Sequence, residues 1–400
     1  MNLRVGRAAY QLEVARGSSM GGYVARSGAV SGELHPLEVG AVAFVGAGGV
    51  AVLCVADLLQ VDDGPAATAR SAVAAAVGTS PDLVWLCATH THSGPMPGEV
   101  TDQLVAGCVS AARTAVSDAR PSAVTLHRAE LAAVGGQRTG SSRRAAVPVD
   151  ALRVANSSGV LVGLVGVVPV HPTVLGAANT LVSPDLPGAV RRSLVAAGTW
   201  SLVATGASGD VSTRAHRREQ TPAEVDRLGG LTADAMLVAA ATPALAEATD
   251  VVSGRVSVME LEPADPEAAF RRGALESARR TLAEARASGD AGLVRDATVG
   301  LEGAELAAGA AEPTAVSCAT AYLDLGGIRL LGLGGEPFLD LAPGGSSVLL
   351  GYANGYAGYL PTRTAFTDAT AHPAHPAYEV LISRVAPGQP ERALAAAQGG

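Results

Sequence analysis

Apolar and polar positions in this chain switch repeatedly between the two-residue period of strands and the three-to-four-residue period of helices. Residues 41–56, AVAFVGAGGVAVLCVA, hold two β-rich runs around a glycine turn and predict a hairpin. Residues 65–78 are alanine-rich and predict a helix. DLVWLCA at 82–88 predicts a short buried strand, and 99–118 predicts a helix from apolar residues at i, i+3 and i+4. A strand follows near 122–132, then a polar loop, GGQRTGSSRR, at 135–144. A second hairpin spans 148–170 and turns at Asn156-Ser157-Ser158-Gly159. A helix near 187–197 and a strand near 200–205 come next. The stretch 222–247 reads as helix and 251–262 alternates as a strand. Residues 266–287 form an Arg/Glu-rich helix with alanine and leucine at core spacing, a solvated face packed on the body. Strands return at 315–323 and 328–333, before glycine-rich loops.

Helices and hairpins so interleaved predict an α/β fold of mixed α+β layers, with mixed sheets. No long linker or internal repeat divides the chain. One domain over 1–400 is expected, with a helical excursion at about 222–310.

Composition narrows the function. Four hundred residues with 48% hydrophobic side chains can bury a large core, despite 48 glycines and 23 prolines. No apolar run reaches the roughly 18 residues of a membrane span. A net charge of −8 without a basic stripe argues against nucleic acid as a partner. All 29 basic residues are arginine, which excludes a Schiff-base lysine, a pyridoxal-phosphate anchor and a P-loop lysine. The N-terminal MNLRVGRAAYQLEVARG has charges where an export signal needs an apolar run, and the expected location is cytoplasmic. Cys54, Cys87, Cys108 and Cys318 show no CxxC spacing and read as small buried hydrophobes.

Candidate chemistry gathers where buried strands end. His90 and His92 sit in CATHTHSGP just past the 82–88 strand; if the chain stays extended, both imidazoles share one face. His171, in VVPVHPT, and Glu336, in LLGLGGEP, follow two other apolar strands. Two imidazoles and a carboxylate make a standard zinc set with a fourth position open. A short HxH also fits ordinary histidines at a strand end, so spacing alone leaves both readings standing. Asp210 and Ser212, in GASGDVSTRAHR, follow another strand; the serine could be a nucleophile, a hydrogen-bonding group or a turn cap. The GxSxG elbow is absent. GYANGYAGYLPT at 351–362 carries three of the seven tyrosines, among small residues that would let phenols line a site. Arg138 lies in the polar loop. His35, His127 and His216 read as structural, and His372 and His375 as loop residues near substrate or at the surface.

Together these segments resemble the neutral (non-lysosomal) ceramidases, zinc-dependent N-acylsphingosine amidohydrolases. The matching pieces run in family order: MGGYVAR at 20–26, CVADLL at 54–59, THTHSGP at 89–95, GGQR at 135–138, NTLVSPDLPG at 179–188, GDVS at 209–212, GGEPF at 334–338 and NGYAGY at 354–359. The resemblance implies a ceramidase-like catalytic domain and one Zn²⁺ held by His90, His171, Glu336 and Tyr356. It implies a catalytic role for Ser212, substrate contacts from His92 and Arg138, and an additional role for Tyr359. The implied reaction is hydrolysis of an N-acyl amide, ceramide-like or other, by a zinc-activated water. The implied partner is a small-molecule acyl amide. The chain departs from the family pattern in showing neither the export signal nor the C-terminal immunoglobulin-like domain of full-length members. Thr213 stands where a proline is usual, PFLDL follows Glu336, and Ala365-Phe366 replaces the acidic-tyrosine segment, with Tyr378-Glu379 farther on. The drift is on the substrate side. A hydrolase of a non-lipid amide or ester, a metal-retaining binding protein, and a metal-free serine hydrolase built on Ser212 remain as rival readings.

Overall fold

The computed structural model describes residues 3–139, 144–268, 270–309, 315–371 and 377–399. Its largest sheet has nine strands among these residues. Their order is Trp200–Thr205, Leu161–Val168, Val147–Asn156, Arg120–Leu131, Arg4–Leu12, Leu37–Gly46, Gly49–Ala56 and Val84–Ala88, with Ala246–Glu247 also pairing with the 120–131 strand. The two edge pairs are parallel, while the inner ladders are antiparallel. The first hairpin turns at Ala47-Gly48, because Gly46 pairs with Gly49. A second sheet of four strands runs Ser253–Leu261, Val316–Asp324, Arg329–Leu333, Ser347–Leu350.

Side-chain alternation sorts these sheets into layers. On the 37–46 strand, Val42 and Phe44 point to one face and Val39, Ala41 and Ala43 to the other. The first face meets Leu323, Leu330, Val348 and Leu350 of the second sheet. The opposite face packs on helices Asp63–Val77 and Thr101–Ser117 at one end, and on helices Asp185–Ala196 and Pro222–Ala241 at the other. Leu331, Leu333 and Leu349 face outward beneath helix Gln389–Gln398. The result is four layers, helices–sheet–sheet–helix, with the largest core between the sheets. Most strands are covered on both faces and read as near-continuous apolar runs, whereas the edge strand 253–261 is largely exposed or half-buried, with Val258 64% exposed.

The predicted hairpins, the early helices and the 200–205 strand form within a few residues of their expected limits. The helix expected over 266–287 starts only at Ala274, after Gly273 takes a left-handed conformation. The 222–247 helix ends at Ala241, and 246–247 joins the large sheet. Strand 4–12 and helix Ala291–Gly309 were not read separately from the sequence. The 222–310 stretch is helical on either side of strand 253–261. All four cysteines are buried and unpaired. No helix among the described residues is long and apolar enough to cross a membrane.

Candidate metal and active site

The exits of the two edge strands of the large sheet lie together, and the Thr205 hydroxyl donates to the Thr89 carbonyl at 2.7 Å. This brings together the exits of strands 84–88, 161–168 and 200–205. The second sheet adds a fourth exit. Beyond strand 329–333 the chain passes Glu336, then returns so that 352–354 lies along the free edge of the 84–88 strand. Ala88 N–H donates to Tyr352 O at 3.1 Å, Asn354 N–H to Leu86 O at 2.7 Å, and Leu86 N–H to Asn354 Oδ1 at 2.9 Å. The loops pack backbone to backbone: a Cβ on Gly209 would lie 2.4 Å from the Glu336 carbonyl oxygen.

His90 does not continue the strand. Its φ of 64° is left-handed, held by its N–H on Leu58 O at 2.9 Å. The chain does not stay extended through THTH, the condition under which both imidazoles would share one strand face, because Leu58 captures the backbone and turns it. The rings of His90 and His92 still meet, edge to face, with centroids 4.8 Å apart. Tyr352 and Asn354 are left-handed as well, at 53° and 62°. Such conformations cost roughly 1–2 kcal/mol each in non-glycine residues and persist only where the surroundings fix them.

The polar atoms converge on one carboxylate oxygen. Glu336 Oε2 lies 3.1 Å from His171 Nε2 and 3.4 Å from His90 Nε2, with all three side chains about 2–3% exposed. Each histidine is anchored through its other nitrogen: His90 Nδ1 is 2.7 Å from Leu59 O, and His171 Nδ1 is 2.6 Å from Ser208 O. A carbonyl only accepts, so each Nδ1 carries a proton and each Nε2 is turned toward the carboxylate. Burial holds His90 down to about 4, so it is neutral at pH 7. Burial works against the Glu336 charge, but the neighbouring His90 and His171 rings and the Tyr356 hydroxyl outweigh it and bring the carboxyl down to about 2. His171 Nε2 has no hydrogen-bond partner despite its burial. Two imidazole nitrogens and a carboxylate oxygen, buried and converging, form an arrangement that a cation satisfies.

His92 completes the histidine group. Its Nε2 is 3.1 Å from His90 Nε2, and the ring nitrogens of His90, His92 and His171 all lie within 4.8 Å of one another, so the group could hold a metal ion. Burial, with His90 and His171 beside it, keeps His92 well below the usual histidine range. The Tyr23 ring meets His92 edge to face at 4.9 Å, with the Arg26 guanidinium over its far side. Two tyrosines grip Glu336 from different sides: Tyr356 donates to Oε1 and Tyr352 to Oε2, the latter at 3.3 Å. Tyr352 also stacks on His90 with centroids 4.2 Å apart. Tyr359 lies parallel to His171 at 6.3 Å. Burial raises all three phenols above their ordinary value, with Glu336 adding to it, so they are protonated.

Ser212 is beside His171, joined to it by a β-bridge, and its hydroxyl accepts the Arg214 N–H at 3.3 Å as the cap of a short turn. Asp210 ties loops: its carboxylate accepts from Gln137 Nε2, Thr139 Oγ1 and Leu339 N–H at 2.9, 2.6 and 2.8 Å. Arg138 is anchored to Gly209 O and to the nearly buried Glu379, both at 2.9 Å. Glu379 belongs to the segment that looked displaced in sequence. The fold brings it to Arg138, with Tyr378 edge-on to Tyr359 at 6.2 Å. Sequence reasoning did not assign roles to Tyr352, Ser208 or Glu379; only the tyrosine-rich 351–362 segment hinted at the first. His372 and His375 lie outside the described residues.

No protein-family model matches the chain, and no curated protein matches it by sequence. Solved structures do. Neutral ceramidase from Pseudomonas aeruginosa superposes with a TM-score of 0.73 at 18% identity, over 99% of this chain and 73% of that one. A ceramidase complexed with C2 gives 0.72 at 17% identity, over 99% and 74%. The chain has the neutral ceramidase fold, with mixed sheets and helices as its sequence predicted.

Proposed function

We propose that this protein is a zinc-dependent hydrolase of N-acyl amides, with ceramide-like amides as the substrate class. The observation that carries the reading is the approach of His90 Nε2 and His171 Nε2 to Glu336 Oε2, at 3.4 and 3.1 Å, with each Nδ1 committed to a backbone carbonyl. Neutral imidazoles and a carboxylate are the donor types that zinc takes. His90, His171, Glu336 and Tyr356 would hold the ion.

Bound zinc supplies a Lewis acid that polarises the acyl carbonyl and makes water a usable nucleophile at neutral pH. The chain's own residues do the rest. The anchored rings of His90 and His171 present lone pairs without reorganisation. His92 stands beside His90, and its neutral ring could take the proton released by the attacking nucleophile and pass it to the leaving nitrogen. Ser212, next to His171, orients the amide. Arg138, fixed by Glu379, binds the polar end of the substrate, and Tyr359 donates its phenolic proton to developing negative charge.

The test is hydrolysis of a panel of long- and short-chain N-acyl amines, with and without a chelator. Hydrolysis that disappears on chelation and returns with zinc supports the reading. Hydrolysis that a chelator leaves untouched would move the chemistry to Ser212 without a metal. Cleavage of short polar amides alone would remove the ceramide-like substrate class.

A further inference from the structure

Four residues around the donor set form a closed circuit. His171 Nδ1 donates to the Ser208 carbonyl at 2.6 Å, and the Ser208 hydroxyl meets the Tyr352 hydroxyl at 2.9 Å. Tyr352 donates to Glu336 Oε2 at 3.3 Å, and Oε2 returns to His171 Nε2 at 3.1 Å. Each hydroxyl has one proton. Tyr352 spends its own on the carboxylate, so Ser208 donates to Tyr352, and the chain is polarised toward Oε2. Ser208 and Tyr352 are fully buried. Tyr352 adopts a left-handed backbone, at φ 53°, where its segment docks on strand 84–88.

We infer that Ser208 and Tyr352 are paired positioning residues, which aim Glu336 Oε2 at the two histidine nitrogens and thereby set the metal affinity of the centre. The inference rests on the proposed metal site. Glu336 is held on both oxygens by different tyrosines. Tyr356 fixes Oε1, while Tyr352 fixes the oxygen that faces His90 and His171. Through Ser208 the same hydroxyl is tied to the residue that orients His171. The carboxylate and one imidazole are therefore aligned by a single relay. Groups that orient metal ligands typically change affinity about 10- to 100-fold when removed.

The experiment compares wild type with Tyr352→Phe, Ser208→Ala and the double variant. Each protein is stripped of metal and titrated with zinc against a chromophoric chelator, and thermal unfolding of the stripped proteins is recorded alongside. Tyr352→Phe keeps the ring that stacks on His90 and loses only the hydroxyl. Each single variant should bind zinc at least about 10-fold more weakly, and the double variant no more weakly than Tyr352→Phe alone, because both act through one relay. Unchanged affinity in Tyr352→Phe overturns the inference, as do single effects that multiply in the double variant. Affinity that falls only in step with the unfolding temperature would also overturn it, by showing a merely structural role. Failure of wild type to bind zinc would instead overturn the metal reading itself, and this inference with it.

Discussion

Glu336 Oε2 lies 3.1 Å from His171 Nε2, and that contact joins the exits of two different sheets. His171 leaves the large sheet after strand 161–168, and Glu336 leaves the small one after strand 329–333. Neither sheet holds the donor set alone. The centre exists because the two sheets pack face to face and the 352–354 segment stitches the small sheet to the edge of the large one.

Two tyrosine hydroxyls donate to the Glu336 carboxylate, one on each oxygen. Glu336→Gln removes the charge and turns one acceptor oxygen into an N–H₂ donor. The metal-free variant should therefore be less stable than metal-free wild type, by about 1–3 kcal/mol, and should bind zinc far more weakly. Calorimetric unfolding of both stripped proteins checks this. Equal stability would mean that the carboxylate gains nothing from its tyrosine partners.

Glu379 and Arg138 form an ion pair whose side chains are 5% and 22% exposed. Truncation to Glu379→Ala leaves a largely buried guanidinium without its carboxylate, and should destabilise by about 3 kcal/mol in urea unfolding. Glu379→Gln keeps a hydrogen bond and should cost less. On the proposed reading, it should raise KM for the amide while zinc content stays at the wild-type level. A fall in kcat with unchanged KM would place Arg138 away from substrate binding.

Ser212 has two tasks that one substitution separates. As the cap of a short turn it contributes about 1 kcal/mol, and as the group orienting the amide it should matter far more to rate. Ser212→Ala should cut turnover about 100-fold or more, with zinc still bound. Full turnover in the variant would reduce the serine to its capping role.

The stability of the protein should also respond to a histidine outside the site. His127 lies between the Thr125 hydroxyl at 2.7 Å and the Thr242 carbonyl at 3.0 Å. Burial foremost, with Arg153 adding, holds its pKa below the ordinary 6.5. As pH falls below 6.5, the unfolded chain takes up a proton that the folded chain refuses, so this histidine's contribution declines on acidification. His127→Gln should flatten the stability profile between about pH 5 and 7. An unchanged profile would mean that His127 titrates alike in both states.

Much of this was legible in the chain. Short Val- and Leu-rich runs announced the strands, and the site residues lay just past their ends: His90 after 84–88, His171 after 161–168, Glu336 after 329–333. Local sequence could not show what depended on tertiary capture. The turn at His90 comes from Leu58, which is remote in sequence terms from the THTH motif. Tyr352 reads as one tyrosine among three until the 352–354 segment docks on strand 84–88 and places its hydroxyl on Glu336. Glu379 is far from Arg138 in sequence, so spacing could not show an ion pair that depends on where the chain returns. The late start of the 274–288 helix follows from Gly273, whose left-handed conformation interrupts a helix-favouring composition.

The most direct test of the metal centre is the metal content of the purified protein, with wild type measured beside His90→Ala and Glu336→Ala. The account predicts about one zinc per chain in wild type and loss of it in both variants. A wild-type protein that holds no metal even after zinc is supplied, or a Glu336→Ala protein that keeps a full equivalent, would contradict it.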